Sequence, residues 1–190
     1  MALVRPGLIV GPHDPTNRFT YWPRRVAHGG TYIAPGNPAR TVQWIDVRDL
    51  ANWCLHLCEH GITGSFNATG PAEPASFGHL LERCRVVTHS DAGPLWVDDA
   101  TLLAHGVEPW TGLPLWIPEN DAEAGGIMLA DNRRALAHGL QLRPLDDTIA
   151  ATLAWDQAQA ADDGEPHPRR AQTLSLTREA ELLALLASDA

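Results

Sequence analysis

The sequence predicts an α/β fold: a short, mostly parallel sheet in the first third, followed by a mainly helical lobe. Three observations carry this. Apolar and β-branched runs alternate with one clear helical period up to about residue 71, the pattern then changes to successive helices, and no stretch approaches the ~18 consecutive apolar residues of a membrane span.

The first strand is expected over residues 3–10, an apolar run interrupted by Arg5-Pro6-Gly7 and stopped by Gly11-Pro12. A polar, aromatic-rich loop, "HDPTNRFTYWPRR", follows, and a short strand is expected over 31–34. The β-branched and aromatic run "TVQWIDV" (41–47) leads directly into a helix over 47–60. Asp46 is placed as its N-cap, Asp49 as the acidic partner of a capping box and Gly61 as the residue that ends it. Val47, Leu50, Ala51, Cys54, Leu55 and Cys58 repeat at helical spacing and are expected to form the core-facing stripe. "SFNATGP" (65–71) reads as the next strand. Helices are then expected over 76–88, 99–105, 131–138 and 146–159, with short strands at "LWV" and "LQLRP" between them. "AADDGEPHPRRAQ" reads as an exposed linker, and "REAELLALLA" as a terminal amphipathic helix that packs on the lobe or mediates a contact between chains.

Composition narrows the function classes. The formal charge of −9 and the lack of a basic stripe argue against nucleic acid as a partner, and nothing reads as a signal peptide or a membrane anchor. Three cysteines, sparse and odd in number, fit reduced thiols in a cytoplasm. All 14 basic residues are arginine.

Several segments together resemble the extended short-chain dehydrogenase/reductases, and more narrowly their NAD(P)-dependent epimerase/dehydratase branch. They are "LVRPGLIVGP", then "VQWIDVRDLANW", then "GSFNATGP", and finally "DNRRALAHGLQLRPLDDTIAATLAW". The resemblance covers about residues 2–156. It implies the C-terminal strands of a doubly wound, Rossmann-like parallel sheet joined to a substrate-binding lobe. In these terms residues 1–72 are the C-terminal part of the dinucleotide-binding domain, 73–159 the substrate-binding lobe, 160–173 a linker and 174–190 a C-terminal helix. The departures are as informative. The family's glycine-rich pyrophosphate turn is missing, and its catalytic Tyr-x-x-x-Lys pair is impossible in a chain without lysine. Tyr21-Trp22-Pro23-Arg24-Arg25 mimics that pair with arginine, but it lies in a substrate-side loop of the family and carries a proline.

The resemblance implies that Pro6, Gly7, Leu8, Ile9 and Val10 lie against the nicotinamide end of NAD or NADP in the intact parent. Gly7 would let the backbone approach the ring. The same residues also read as a plain buried strand. His13, Asp14, Asn17, Arg18, Tyr21 and Trp22 follow a strand's carboxyl end, where ligands bind in such sheets, and Arg18 suits a carboxylate or phosphate. A solvated loop with two packed aromatics explains them as well. Arg48 reaches toward the cleft. Trp110 and Trp116 either cover the pocket or simply pack the lobe. "HLCEH" matches an inverted zinc-protease pattern, but helical geometry turns His56 and His60 to solvent, so no metal is expected. Cys54 and Cys58 are expected in the core.

The expected function is the C-terminal, substrate-binding part of an NAD(P)-dependent oxidoreductase or epimerase/dehydratase, with hydride transfer at a carbonyl/alcohol centre of a small molecule. This chain alone is expected to be inactive and to bind no dinucleotide tightly, as a truncated reading frame or split gene would be. A homodimer or a complementing N-terminal fragment is the expected partner. The alternative is a stand-alone, non-catalytic ligand-binding or interaction module derived from that family.

Overall fold

A computed structural model of the 190-residue chain describes residues 1–121, 123–124, 126–160 and 172–188. The expected linker falls largely on 161–171, outside the described residues. Among the described residues no helix is long and apolar enough to cross a membrane.

Seven strands form three small sheets. β1 (Ala2–Pro6) pairs in parallel with β5 (Gly64–Ala68). β2 (Ile9–Val10) pairs in parallel with β4 (Thr41–Asp46), whose other edge takes β6 (Gly70–Ser76) antiparallel. β3 (Thr31–Pro35) pairs in parallel with β7 (Gly93–Val97). The described residues also form seven helices: α1 (Tyr21–Ala27), α2 (Val47–Glu59), α3 (Phe77–Thr88), α4 (Asp99–Ala104), α5 (Arg133–Ala137), α6 (Leu145–Ala160) and α7 (Leu176–Ser188). The α/β class is as expected.

The strand expected over 3–10 is two strands with different partners. Proline at position 6 has no N–H to give a ladder. The Gly7 N–H donates to the Ala68 carbonyl at 3.0 Å, and the Leu8 carbonyl accepts from the Ile45 N–H at 2.8 Å. The chain thus passes from one sheet to the next within two residues. Gly7 is needed there for packing: a Cβ would sit 2.4 Å from Thr69 Oγ1. Gly7→Ala is therefore expected to cost about 1–3 kcal/mol in urea unfolding, partly recovered by adding Thr69→Ala; equal stability of Gly7→Ala and the parent would contradict this packing.

Other expectations need correction. Residues 21–27, taken as loop, form α1. Pro23 is tolerated in a helix's first turn, and Thr20 makes no side-chain cap, so the start carries no sequence signal. The strand expected over 65–71 ends at Ala68, and Gly70-Pro71 open β6, an edge strand that accommodates its two prolines. "LQLRP" is not a strand but an extended connection into α6.

The face of α2 is the largest correction. Its buried residues are Asp49, Trp53 and Leu57, while Ala51 and Cys58 are exposed, Cys54 is half-buried and Leu55 is 61% exposed. The face is rotated rather than replaced: Val47, Leu50 and Cys54 stay half-buried, and Leu50 still packs on the core. The rotation brings in Trp53, which buries more apolar surface than the Ala51 and Cys58 it leaves outside.

Two hydrophobic clusters result. One joins Ile45, Trp53, Leu57, Phe66, Ala135 and Leu140 beneath β1, β5 and α2. The other fills the lobe with Trp22, Tyr32, Phe77, Leu80, Leu102 and Trp116. Ala2 and Val4 of β1 pack on the first cluster, whereas Leu3 on its opposite face is 46% exposed. Among the described residues the outer edge of β1 has no strand partner.

Candidate functional site

The carboxyl ends of β2 and β4 lie side by side, Val10 opposite Asp46. Here the turn at Gly11 leaves the sheet with φ +111, and its Cα faces the Asp46 carboxylate so closely that a Cβ would sit 3.3 Å from both oxygens. Asp46 is buried and ties three elements together. Its Oδ1 accepts the Arg48 N–H at 2.9 Å, which caps α2 as expected. The Arg48 guanidinium grips both oxygens, at 2.9 and 2.6 Å, and the Thr148 hydroxyl on α6 donates to Oδ2 at 2.9 Å. Burial works against the charge of Asp46, but the hydrogen bonds from Arg48 and Thr148 outweigh it and hold the carboxyl below its ordinary pKa. Asp49 does not complete a capping box. Its carboxylate accepts the backbone N–H and Nε of Arg143, at 2.9 and 2.7 Å. Arg143 and Thr148 were not legible as site residues, because they stand some hundred residues away and carry no local motif.

The residues of the expected cofactor stretch divide by exposure. Pro6, Gly7 and Ile9 are exposed, Leu8 packs partly on the lobe and Val10 is fully buried. The loop after them is held in an unusual backbone: His13 and Asn17 have φ of +69 and +64. Asp14 Oδ1 accepts the Thr16 N–H and hydroxyl at 2.9 and 2.6 Å, and the ring of His13 tilts against Trp155. Arg18 donates to Thr16 Oγ1 at 3.1 Å and lies over the Trp110 ring at 5.7 Å. The buried amide of Asn17 is hydrogen-bonded by Arg24 and itself donates to Thr173.

Other expected site residues belong to the interior. Trp22 is fully buried, donates from Nε1 to the Pro114 carbonyl at 2.9 Å and meets Phe77 edge-on. Trp116 is fully buried and donates to Asp99 at 2.7 Å. Neither offers surface to a ligand. Tyr21 is buried as well. Burial first, and then the charge of Glu179, raise its pKa well above the ordinary tyrosine value. Arg25 binds Glu179 rather than the phenol, so Tyr21 and Arg25 cannot work as an acid–base pair. The Tyr21 hydroxyl has no hydrogen-bond partner among the described residues. Tyr21→Phe is expected to leave stability unchanged or raise it by up to about 1 kcal/mol, since a buried, unsatisfied hydroxyl is removed; a clear loss in thermal unfolding would mean the phenol is bonded.

Of the expected site residues, Pro6, Gly7, Ile9 and His13 are exposed and Asp14, Arg18, Arg48 and Trp110 partly exposed; these make up the candidate rim. Arg48 folds back on Asp46 rather than standing free. Two cavities lie elsewhere. One of about 380 Å³ is lined by Asp49, Trp53, His56 and Arg143. One of about 570 Å³ lies between residues 106–112 and 172–178.

Cys54, Cys58 and Cys84 are free thiols. Cys58 is exposed, so the expected core placement holds for neither Cys58 nor fully for Cys54. His56 and His60 stack at 4.2 Å, and His56 is half-buried against Gly139 rather than in solvent. Among the described residues no three His, Cys, Asp or Glu side chains converge as a metal site.

A dinucleotide needs a cradle for its pyrophosphate, usually backbone N–H groups at a glycine-rich strand-to-helix turn. No described strand leads into a helix through such a turn: β4 enters α2 directly, and β2 reaches the seven-residue α1 through a ten-residue loop.

No protein-family model matches the chain, and no curated protein matches it. Solved structures do share its fold. UDP-glucose 4-epimerase from Thermotoga maritima, solved with UDP-glucose, superposes with a TM-score of 0.58 at 16% identity, over 84% of this chain and 46% of that one. A human epimerase family protein with NADPH gives 0.55 at 19% identity, over 80% and 48%. RMD from Pseudomonas aeruginosa, complexed with NADPH, gives 0.54 at 13% identity, over 83% and 48%. The chain therefore has the fold of part of these Rossmann-like proteins, and it spans about half of their length.

Proposed function

We propose that this chain is the C-terminal, substrate-side part of an NAD(P)-dependent oxidoreductase or epimerase/dehydratase, acting by hydride transfer at a carbonyl/alcohol centre in a cytoplasmic setting. The observation that carries the reading is the apolar surface and strand edge left exposed around the first hydrophobic cluster. Among the described residues β1 has a free edge and the exposed Leu3, and next to it α2 turns Ala51, Leu55 and Cys58 of its legible stripe outward. Parallel sheets are normally covered on both faces, and a two-stranded piece is marginal alone. A further parallel strand and its helix would cover both surfaces at once. A dinucleotide-binding α/β unit is such an element, and the neighbours' greater length supports it as the occupant.

In this reading NAD or NADP supplies the hydride chemistry and is held mainly by that other unit. Pro6, Gly7 and Ile9 border its nicotinamide end. His13, Asp14, Arg18, Arg48 and Trp110 face the substrate, with Arg18 placed for a carboxylate or phosphate. The catalytic acid–base group belongs to the other unit, since the chain's Tyr-x-x-x-Arg is locked in its interior.

Calorimetric titration of the isolated chain with NADH and NADPH tests this. Binding no tighter than about 1 mM is expected, because the pyrophosphate cradle is lacking. Micromolar binding would overturn the division of labour. The stand-alone module remains the second reading, favoured by α7, which covers the outer edge of β3 from within the chain. It predicts a monomer whose Leu3→Lys/Leu55→Lys variant gains nothing in solubility. The first reading predicts that the unsubstituted chain self-associates and that this variant does not.

A further inference from the structure

The C-terminal segment touches both sides of the accessible rim through two adjacent residues. Thr173 Oγ1 accepts the Asn17 amide at 3.4 Å, next to Arg18. The Leu174 N–H donates to the Gly112 carbonyl at 2.7 Å, two residues from Trp110. Arg18 and Trp110 are the stacked pair of the rim. Behind this strap, α7 is anchored firmly. Glu179 is buried, its Oε2 accepting Arg25 Nε at 2.5 Å and its Oε1 the Ile33 N–H at 3.0 Å. Arg25 belongs to α1, the helix into which the rim loop runs. It also donates to the carbonyls of Gly29 and Thr31, at 3.0 and 2.8 Å, so its side chain has no freedom to follow a shifted α7. Arg178 adds a bond to the His105 carbonyl at 3.1 Å.

We propose that residues 172–188 act as a brace that sets the spacing of Arg18 and Trp110, with Thr173 and Glu179 as positioning residues. The inference rests on the reading of Arg18 as the substrate-side cation. Physically, the loop over 11–20 is held by its own hydrogen bonds around Asp14 and Thr16 and, at Asn17, from outside. It contains two non-glycine residues in the left-handed region, and such strain persists only where surrounding contacts impose it. Asn17 is one of the two, and its amide is held by Arg24 from α1 and by Thr173 from the strap. Release of the strap frees the loop on one side and the Trp110 loop on the other. The Arg18 side of the rim is then shaped by a segment that begins more than 150 residues after it in the chain.

Amide hydrogen exchange of the full chain tests the brace. Thr173→Val keeps the shape and removes the acceptor. It should raise exchange at the bonded amides of Asp14 and Thr16 roughly fivefold, the effect of one ordinary hydrogen bond, with the melting temperature lowered by only about 2–4 °C. Glu179→Gln should raise exchange in α7, in 13–18 and in 108–112 together. If that variant loosens only α7 and Ile33, or if Thr173→Val leaves Asp14 and Thr16 as protected as before, the brace is wrong. Titration with inorganic pyrophosphate is the second arm, and Thr173→Val should weaken binding by a similar factor. Unsubstituted chain that ignores pyrophosphate would refute Arg18 as the anion clamp, while the exchange result would still decide the brace.

Discussion

Glu179→Ala is expected to destabilise the fold by about 3–5 kcal/mol, the cost of leaving a buried charge without its partner. Side-chain exposures of 6% for Arg25 and 3% for Glu179 make this pair an interior one, so surface screening gives little relief. The Ile33 N–H loses its acceptor at the same time. Chemical denaturation of the variant should show the loss, and it should also remove protection from α7. The pair itself need not be a net gain. Replacing both partners by apolar residues, Arg25→Met with Glu179→Leu, should recover much of the loss, because neither charge is then stranded. If the double variant is as unstable as the single one, packing of α7, rather than the orphaned Arg25, is the cause.

Asp46→Ala is expected to cost about 3 kcal/mol. The change removes the N-cap of α2, the acceptor of the buried Thr148 hydroxyl and the counter-charge of Arg48. Arg48 is about one-third exposed, which keeps the figure at the low end for a broken buried pair. Asp46→Asn keeps a cap and an acceptor and should lose roughly half as much. The same carboxylate gives a pH dependence with a defined sign. Its pKa is lower in the folded chain than in the unfolded chain, so its contribution is complete above the unfolded value of about 4 and fades as pH falls through the folded value. Urea midpoints measured between pH 6 and pH 2.5 should fall less steeply for Asp46→Asn than for the unsubstituted chain. Parallel curves would remove Asp46 from the acid response.

Much of the local structure was legible from the sequence. The cap at Asp46, the stop at Gly61, the helix behind Ser76 and the strand over 41–46 follow from side chains acting on their own backbone within a few residues. The candidate rim was legible in part, since the loop after a strand's carboxyl end is where ligands bind in such sheets. Which of its residues face outward was not. Trp22 and Trp116 differ from Trp110 only in which neighbours the fold brings to them, and a Trp that finds a carbonyl or carboxylate for its N–H can be buried whole.

By itself, then, the sequence determined the main helices with their caps, the α/β class, the lack of a Tyr-x-x-x-Lys pair and the absence of a glycine-rich phosphate turn. These depend on residue identity and on short-range backbone chemistry. Only the tertiary structure decided which face of α2 is inside, where the first strand changes partners, and that Asp46, Asp49 and Glu179 meet Thr148, Arg143 and Arg25. Burial area helps to select a helix face, and bringing in Trp53 rotates α2 away from the stripe that period alone indicates. The ionic pairings span 94 to 154 residues of chain, and no local preference can encode a contact that exists only once the loops between its partners have closed.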